Sequence, residues 1–488
     1  MQKRSGGTLR FALDNEPVML DPGGMMTLSD FHVVFAMYDT LFAIDEQLIV
    51  QPNLAVSWEY LTDTCLHVRL RQGVTFHDGT PLTAEQVVWS LRHLQQESSE
   101  YRSQLAILER VETLDAHTLR FHLHAPYTPL LSQLAGGAGL VLSPELTEVE
   151  TADGINLTVH QGTGPFRLLR KTSEAVELVR YDRYWDRDED GTPLPYADAL
   201  IMPWLATGTD MLQMLEAGHL SFINEIPYAK VPSLHSREDI RFLGIPSHGF
   251  NCARLNVNRP PFDQTALRQA VAWAVDREEM LASVNLGVGL VSHGPIPPAS
   301  WAHDESFLPY RPDPERIREL LTEGGCPDGF SFTIQIPAAQ MLKMINHMGD
   351  QLRRYGIDMT AEVVEFPQML ENLTSGNFQA IFLGVAGGTD PDDILYTNFH
   401  SNGSSNYLGY SNPQVDRLLE QSRRETEHGV RSRLYREAQR LIVEDSPCIF
   451  TRSGLSMICK RSDVHEITPH PDMAIRWKRI WIEEGVRA

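Results

Sequence analysis

The chain has 488 residues, too many for one hydrophobic core, so two or three domains are expected. Its 42% hydrophobic and 22% charged residues are ordinary for a globular protein, and no stretch reaches the ~18 apolar residues needed to span a bilayer. A formal charge of −22 repels nucleic-acid phosphates, which sets aside a DNA or RNA partner and otherwise reads as a solubility device.

The first residues include Lys3 and Arg4, as a signal n-region would, but Arg10, Asp14, Asn15 and Glu16 arrive before any apolar h-region. Two readings stay open at this point: a cytoplasmic protein, or one whose signal segment is absent from this sequence. Thr8 to Leu13 is a short extended run, and turn signals at Asn15-Glu16-Pro17 and Asp21-Pro22-Gly23-Gly24 follow. Val33 to Leu41 has apolar residues at helical spacing. Leu66 to Arg71 alternates with period two, as a half-buried strand does. His77-Asp78-Gly79-Thr80-Pro81 is a turn, and Thr83 with Gln86 forms a capping box for a helix that buries Val87, Val88, Leu91 and Leu94. Thr118 to Leu123 alternates again.

Gly162-Thr163-Gly164-Pro165 breaks the chain before a strand from Phe166 to Leu169, with which Val176 to Arg180 should pair. Glycine permits positive φ there and proline fixes the exit. Asp186 to Pro195 is a polar loop; helix Asp210 to Ala217 and strand Leu220 to Glu225 come next. Asp263 is read as the cap of a helix with Leu267, Ala270, Val271, Ala274 and Val275 on one face. Beyond it, helix and strand alternate: helix Asp313 to Gly324, strand Phe330 to Ile336, helix Met341 to Tyr355, strand Met359 to Val364, helix Pro367 to Ser375 and strand Phe378 to Leu383. This alternation argues for an α/β unit with a mixed or parallel sheet. Asn412 caps a helix begun by Pro413 and ending near Arg424, and a last long helix runs from Arg431 to Glu444.

Five cysteines are scattered without a CxxC pair. Cys448 and Cys459 would face each other if a tight turn sat at Ser453-Gly454, which leaves a cross-strand disulfide or, as the favoured reading, buried free thiols. The sequence has no G-x-S-x-G elbow, no HExxH and no Walker A loop. Asp186-x-Asp188-x-Asp190-Gly191 matches only the first half of a calcium loop. Ala197 stands where the closing Glu belongs, so an acidic solvated hairpin without calcium is expected. The 18 histidines form no compact cluster along the chain, and neither a metal site nor a cofactor is expected.

Four motifs in order carry a family resemblance. They are Thr75-Phe-His-Asp-Gly-Thr-Pro-Leu-Thr-Ala-Glu-Gln-Val-Val-Trp-Ser-Leu91, Gly162-Thr-Gly-Pro-Phe166, Tyr181-Asp-Arg-Tyr-Trp185, and Pro260-Pro-Phe-Asp263 with Arg268-Gln-Ala270 and Asp276-Arg277. Over nearly its whole length the chain resembles the extracytoplasmic solute-binding proteins of bacterial ABC importers, family 5, which carry peptides, opines, nickel chelates and some oligosaccharides. The motifs themselves read as scaffold.

The resemblance implies a type II periplasmic-binding-protein fold: two α/β lobes around a cleft, plus an extra β-rich subdomain. Domain I would comprise 1–36, 165–256 and 462–488, the extra domain 37–164, and the second lobe 257–461, with hinge strands near Asn256 and Phe450. It implies a binding protein and not an enzyme. Hinge closure over a small peptide-like, opine-like or oligosaccharide solute would precede delivery to permease subunits in the membrane. The protein would be a monomer, periplasmic or lipid-anchored outside the cytoplasm. An oligopeptide receptor or chaperone on the same fold, or an enzyme with an unrecognised site, are the alternatives.

By position in that fold, the candidate ligand contacts are Met25, Met26 and Thr27; His248, Phe250 and Asn251; Trp301; Gln340; Thr389 and Asp390; and Asn406, Tyr407 and Tyr410. Dipeptide binders of the family place an Asp just before the Asp-Pro of the cleft loop, to pair the ligand ammonium, and an Arg after the first strand of the closing lobe, to hold its carboxylate. In the loop from Gly384 to Asp393 the Asp position falls on Gly387, and Ile336 to Met344 offers only Lys343. Burying a zwitterion without these partners costs several kcal/mol, so unmodified dipeptides are expected to bind poorly. Aromatic and amide groups suit a neutral polar ligand.

Overall fold

A computed structural model describes residues 5–25, 27–96, 98–99, 101–150, 156–205, 207–385 and 387–483. It contains two compact units, Met1–Ile245 with Ser456–Ala488, and Pro246–Leu455.

The first unit begins with β1 (Thr8–Arg10) and α1 (Leu28–Met37). Thr27 and Asp30 cap α1 reciprocally: Asp30 N–H donates to the Thr27 hydroxyl and Thr27 N–H to the Asp30 carboxylate. Strands β2 (Ala55–Thr62) and β3 (Cys65–Leu70), helix α2 (Ala84–Leu94), and strands β4 (Leu108–Asp115) and β5 (Thr118–Leu123) follow. The four strands form one antiparallel sheet in the order β2-β3-β5-β4. On β5 the residues Leu119, Phe121 and Leu123 are buried, the alternation that its period-two pattern requires. The capping box of Thr83 and Gln86 starts α2, and Val87, Val88, Leu91 and Leu94 line its buried face.

An antiparallel hairpin, β6 (Leu142–Glu150) and β7 (Asn156–Gly162), leads to a second sheet built from β8 (Phe166–Lys171), β9 (Ala175–Arg180) and β10 (Ala199–Pro203). β8 and β9 pair antiparallel from Phe166 opposite Arg180, β10 joins β9, and β1 adds to β10 in parallel. Helix α3 (Gly208–Glu216) packs beside the short strand Phe222–Ile223.

Three of the sequence motifs meet in this unit. The His77 ring lies 3.0 Å from the Gly164 carbonyl oxygen, and the Tyr181 hydroxyl donates to the Phe76 carbonyl at 2.6 Å. Burial pushes the His77 pKa down to about 4. Asp39 is buried and accepts from the Tyr184 hydroxyl at 3.0 Å and the Trp185 indole N–H at 2.9 Å. Positive φ, expected at Gly162 and Gly164, is not what those positions require, since neither is among the left-handed residues. Both run against the end of α1, where a Cβ would collide with the Met37 backbone. In the loop at 186–192, Asp188 accepts from the N–H groups of Asp190 and Thr192 and from the Tyr196 hydroxyl, while Asp186 pairs with Lys478.

The chain enters the second unit within β11 (Ile240–Leu255). Helices α4 (Thr265–Ala274), α5 (Arg277–Asn285) and α6 (Pro314–Glu323) come next. Then β12 (Phe330–Ile336), α7 (Leu342–Arg353), β13 (Ile357–Val363), α8 (Phe366–Ser375) and β14 (Ala380–Val385) alternate as the sequence reading expects. The unit closes with α9 (Asp392–Phe399), α10 (Pro413–Arg424) and α11 (His428–Asp445), and the chain leaves it within β15 (Cys448–Arg461). β12 is parallel to both β13 and β14, and β14 is antiparallel to β11, which makes the sheet mixed. One apolar cluster covers α4, α6, α7 and β12; another joins β11, β14, α9, α10 and α11.

Two expectations change here. Asp263 does not cap α4, because the turn after Pro260-Pro261 continues through it; its N–H donates to the Arg259 carbonyl and Gln264 takes the cap position. Ser453-Gly454 is not a turn. β15 stays extended there because Leu290–Val291 pairs with Ser453 and Arg452, and the Ser453 hydroxyl donates to the Gly249 carbonyl. Cys448 and Cys459 therefore lie far apart along one strand as free thiols, and the thiol next to Cys448 is that of Cys252.

Gly329 and Gly356 open the β12–β13 ladder with φ of +97° and +79°, and a Cβ on Gly329 would collide with the Gly356 carbonyl. Gly325, with φ of +77°, has open space around it. Gly325→Ala should lose about 1–2 kcal/mol, the left-handed penalty alone, and Gly329→Ala roughly 3 kcal/mol or more, since backbone must also shift. Urea denaturation of the two variants checks this; equal losses would show that the close approach is soft.

Candidate functional site

Within the second unit, β14 ends where the antiparallel pairing puts Asn251 opposite Gly384 and Phe250 opposite Val385. Phe250 is buried against Phe450, with ring centroids 5.3 Å apart, so its side chain belongs to the core. Past Val385 the chain turns through Gly387-Gly388-Thr389-Asp390-Pro391 into α9. Neither glycine tolerates a side chain: a Cβ on Gly387 would strike the His248 carbonyl oxygen, and one on Gly388 the Asp393 carboxylate. The loop lies backbone-to-backbone on β11.

Asp390 is buried, 2% exposed, and its carboxylate is already engaged. It accepts from Arg431 Nη2 at 2.9 Å and from the Tyr435 hydroxyl at 3.2 Å, both on α11. Burial, and then the Asp390 charge, hold the Tyr435 phenol well above its ordinary range. Asp392 receives a bidentate fork from Arg423 of α10 at 2.8 Å and 2.8 Å, and that guanidinium sits 3.0 Å from the Tyr396 ring centre. Trp301 joins the cluster, half-buried, with its ring 4.0 Å from His428 and 5.3 Å from the Arg431 guanidinium. Burial keeps the His428 ring below its ordinary pKa.

A narrow crevice in this unit is lined by His248, Gly388, Asp390, Ile394 and the loop Pro295-Ile296-Pro297. Of the residues singled out in the sequence, His248 and Asp390 therefore line one crevice, and Trp301 reaches it through Arg431. Thr389 is half-buried in the same loop. The rest are elsewhere. Gln340 is exposed on a single 3-10 turn after β12. The Asn406 amide holds its own loop, donating to the His400 and Tyr410 carbonyls. Tyr410 is 3% exposed and donates to Asp445 at 2.6 Å, while Tyr407 is on the surface, 36% exposed. In the first unit, Met25 is buried just before the Thr27 cap of α1, and Met26 lies outside the described residues.

Arg423, Arg431 and Tyr435 were not read from the sequence, although their helices were. An arginine 41 residues after its aspartate leaves no local pattern. The same is true of the histidines. Among the described residues one group has metal-ligand geometry, Asp21, His93 and His160 of the first unit, which the chain scatters and the fold assembles.

Removing one partner of a buried pair leaves a bare charge. Arg431→Met should lower stability by about 3–5 kcal/mol, and adding Asp390→Asn should restore part of it. Denaturant titration of the single and double variants reads this; additive losses would mean that the two groups are not coupled.

Comparison with known proteins bears on the chain as a whole. The family model for bacterial extracellular solute-binding proteins, family 5 Middle, matches residues 50–406. The glutathione-binding protein GsiB of Escherichia coli (strain K12) is 26% identical over 448 residues, which are 88% of this chain and 86% of that protein. Among solved structures, HbpA2 from Haemophilus parasuis has a TM-score of 0.86 at 22% identity, covering 98% of this chain and 100% of that one. The periplasmic binding protein DppA from Helicobacter pylori, in complex with peptide STSA, has a TM-score of 0.80 at 23% identity, covering 99% of each chain.

Proposed function

The chain belongs to the family 5 bacterial extracellular solute-binding proteins, and from that membership together with the 387–391 loop we propose that its solute is a small peptide-like or opine-like conjugate, not an unmodified dipeptide. It is a binding protein of an ABC importer and not an enzyme. The observation that carries the ligand class is the 387–391 loop. The position that the resemblance assigns to an ammonium-pairing Asp is Gly387, which has no room for a side chain, and Asp390 beside it is neutralised by Arg431. A zwitterion brought here would have to give up water at its ammonium without a carboxylate in exchange, a cost of several kcal/mol. The name of GsiB, a glutathione-binding protein, makes a γ-linked peptide the first compound to try, because its ammonium carries its own α-carboxylate on the same carbon and depends less on a partner from the protein.

The proposal includes a monomer outside the cytoplasmic membrane, periplasmic or lipid-anchored, that hands its solute to permease subunits. No described helix is long and apolar enough to cross a membrane, and the −22 charge keeps nucleic acid away.

Calorimetry with free dipeptides, glutathione and opine-type conjugates tests the ligand class. Dipeptides should give no micromolar binding, whereas a member of the other two groups should. Micromolar binding across the dipeptide panel would sink the proposal, and mass spectrometry of solute released on denaturing the purified protein supplies the identity directly.

The aromatic rings make a second test. Trp301 is half-buried beside the crevice loop, so Trp301→Ala should cost roughly 1–3 kcal/mol of affinity and a smaller amount of unliganded stability than a core ring, through its contacts with His428 and Arg431. Tyr410 is a core residue, so Tyr410→Ala should lower unliganded stability by roughly 3–5 kcal/mol instead. Thermal unfolding with and without the solute separates the two; an unchanged affinity in Trp301→Ala removes Trp301 from the ligand contacts.

A further inference from the structure

Asp21, His93 and His160 come from three separate elements of the first unit: the turn before α1, the last turn of α2, and strand β7. Their ligand-capable atoms all lie within 4.8 Å of one another. His93 Nε2 is 3.2 Å from both carboxylate oxygens of Asp21, and His160 Nε2 is 3.8 Å from Asp21 Oδ2.

A His93–Asp21 ion pair accounts for the first contact but not for the second. His160 Nδ1 lies 2.8 Å from the Ser143 carbonyl oxygen, a partner that can only accept, so Nδ1 carries the proton. In the neutral ring Nε2 then presents a bare lone pair to a carboxylate oxygen. Two acceptors facing each other at 3.8 Å favour a cation between them, a proton on Nε2 or a metal ion, and the convergence of His93 on the same carboxylate favours the metal. The Ser143 contact is also the second-shell bond that fixes the tautomer and orientation of a metal-bound imidazole.

The other two groups are held as firmly. Gly23 N–H donates to Asp21 Oδ1 at 2.8 Å. Trp89 stacks on the His93 ring at 14° with centroids 5.2 Å apart, and its ring is 5.3 Å from that of His160. The three side chains are 33%, 18% and 11% exposed, so an ion can reach them from solvent. Bond lengths of about 2.0–2.2 Å to nitrogen and oxygen put neighbouring ligand atoms roughly 3.0–3.5 Å apart. The His93–Asp21 contact of 3.2 Å already meets that spacing, and His160, 3.8 Å from Asp21, must move inward to join it.

We propose that Asp21, His93 and His160 bind one divalent transition-metal ion of the zinc and nickel class, through two imidazoles and a carboxylate, with the remaining coordination open to water. This donor set suits borderline cations and disfavours calcium and magnesium, which prefer all-oxygen shells. The site lies wholly within the first unit and is independent of the solute reading. Its occupant would tie the N-terminal turn to α2 and to the β6–β7 hairpin.

Calorimetry with zinc chloride and nickel chloride on the chelator-treated full chain tests this. One ion should bind with micromolar or tighter affinity, and His93→Gln and His160→Gln should each weaken it about tenfold or more. His122→Gln, which removes the ring beside Glu112 in the same unit, should leave affinity unchanged. Absence of one-to-one binding at micromolar zinc overturns the proposal, as does wild-type affinity in both site variants. Should the variants misfold by circular dichroism, cobalt(II) absorption of the wild type decides: intense visible bands of a low-coordinate nitrogen–oxygen site support it, and the weak spectrum of hydrated cobalt refutes it.

Discussion

A carboxylate buried to the extent of Asp390 must be neutralised where it lies, and the second unit is arranged around that requirement. Arg431 and Tyr435 sit one helical turn apart on α11, so both reach the same oxygen. For α11 to present them, its apolar face must pack on α9, α10 and β14, and Tyr435, Ala438, Ile442 and Val443 do so. The loop is held from the other side by contact with β11, which is why Gly387 lacks a side chain, while Gly388 is closed off by Asp393 of α9. Charge pairing and close backbone approach thus fix one short segment from opposite directions.

The first unit uses the same logic with neutral partners. Asp39 has no arginine in hydrogen-bond contact; the Tyr184 hydroxyl, the Trp185 indole and the Thr163 hydroxyl satisfy it. Burial raises its pKa, and those donors together with Lys478 oppose the rise. These bonds join the end of α1 to residues more than a hundred positions later. Together with the Tyr181 and His77 contacts they explain why motifs so distant in the chain occur as a set: they meet in one polar network. In the second unit Arg268 and Arg277 work in the same way, donating to the carbonyls of Phe262, Asp445, Ala272, Val275 and Phe450. The loss of water drags Arg277 down to about 10.

Local signals were legible, and they were the ones with a short-range cause. The Thr83–Gln86 box, the Asn412-Pro413 helix start and the Phe330–Ile336 strand are written within a few residues each, and the structure has them at those positions. The pairing of β8 with β9 was legible because a tight turn sets its register. Where the reading failed, another contact had overruled the motif, a distant one at Ser453-Gly454 and a competing neighbouring turn at Asp263. Ser453-Gly454 reads as a turn until β11 and the Leu290–Val291 bridge hold it extended. Asp263 reads as a helix cap until the Pro260-Pro261 turn claims its N–H. The candidate site suffered most, since its loop was found but the arginines that complete it were not.

That completion bears on what the loop can do. Its two buried acids are held by guanidinium groups in fixed geometry, and the ring systems of Trp301 and Tyr396 lie close to those guanidiniums. A group held in this way is poorly placed to shuttle a proton, which requires a free path to the reacting atom. It is well placed to keep a rigid surface of backbone and ring in one shape. Rigidity reduces the ordering entropy that a ligand would otherwise have to offset on binding. On the proposal that the solute docks at this loop, selection rests on shape, since an ammonium that needs a carboxylate meets at Gly387 a position with no room for a side chain.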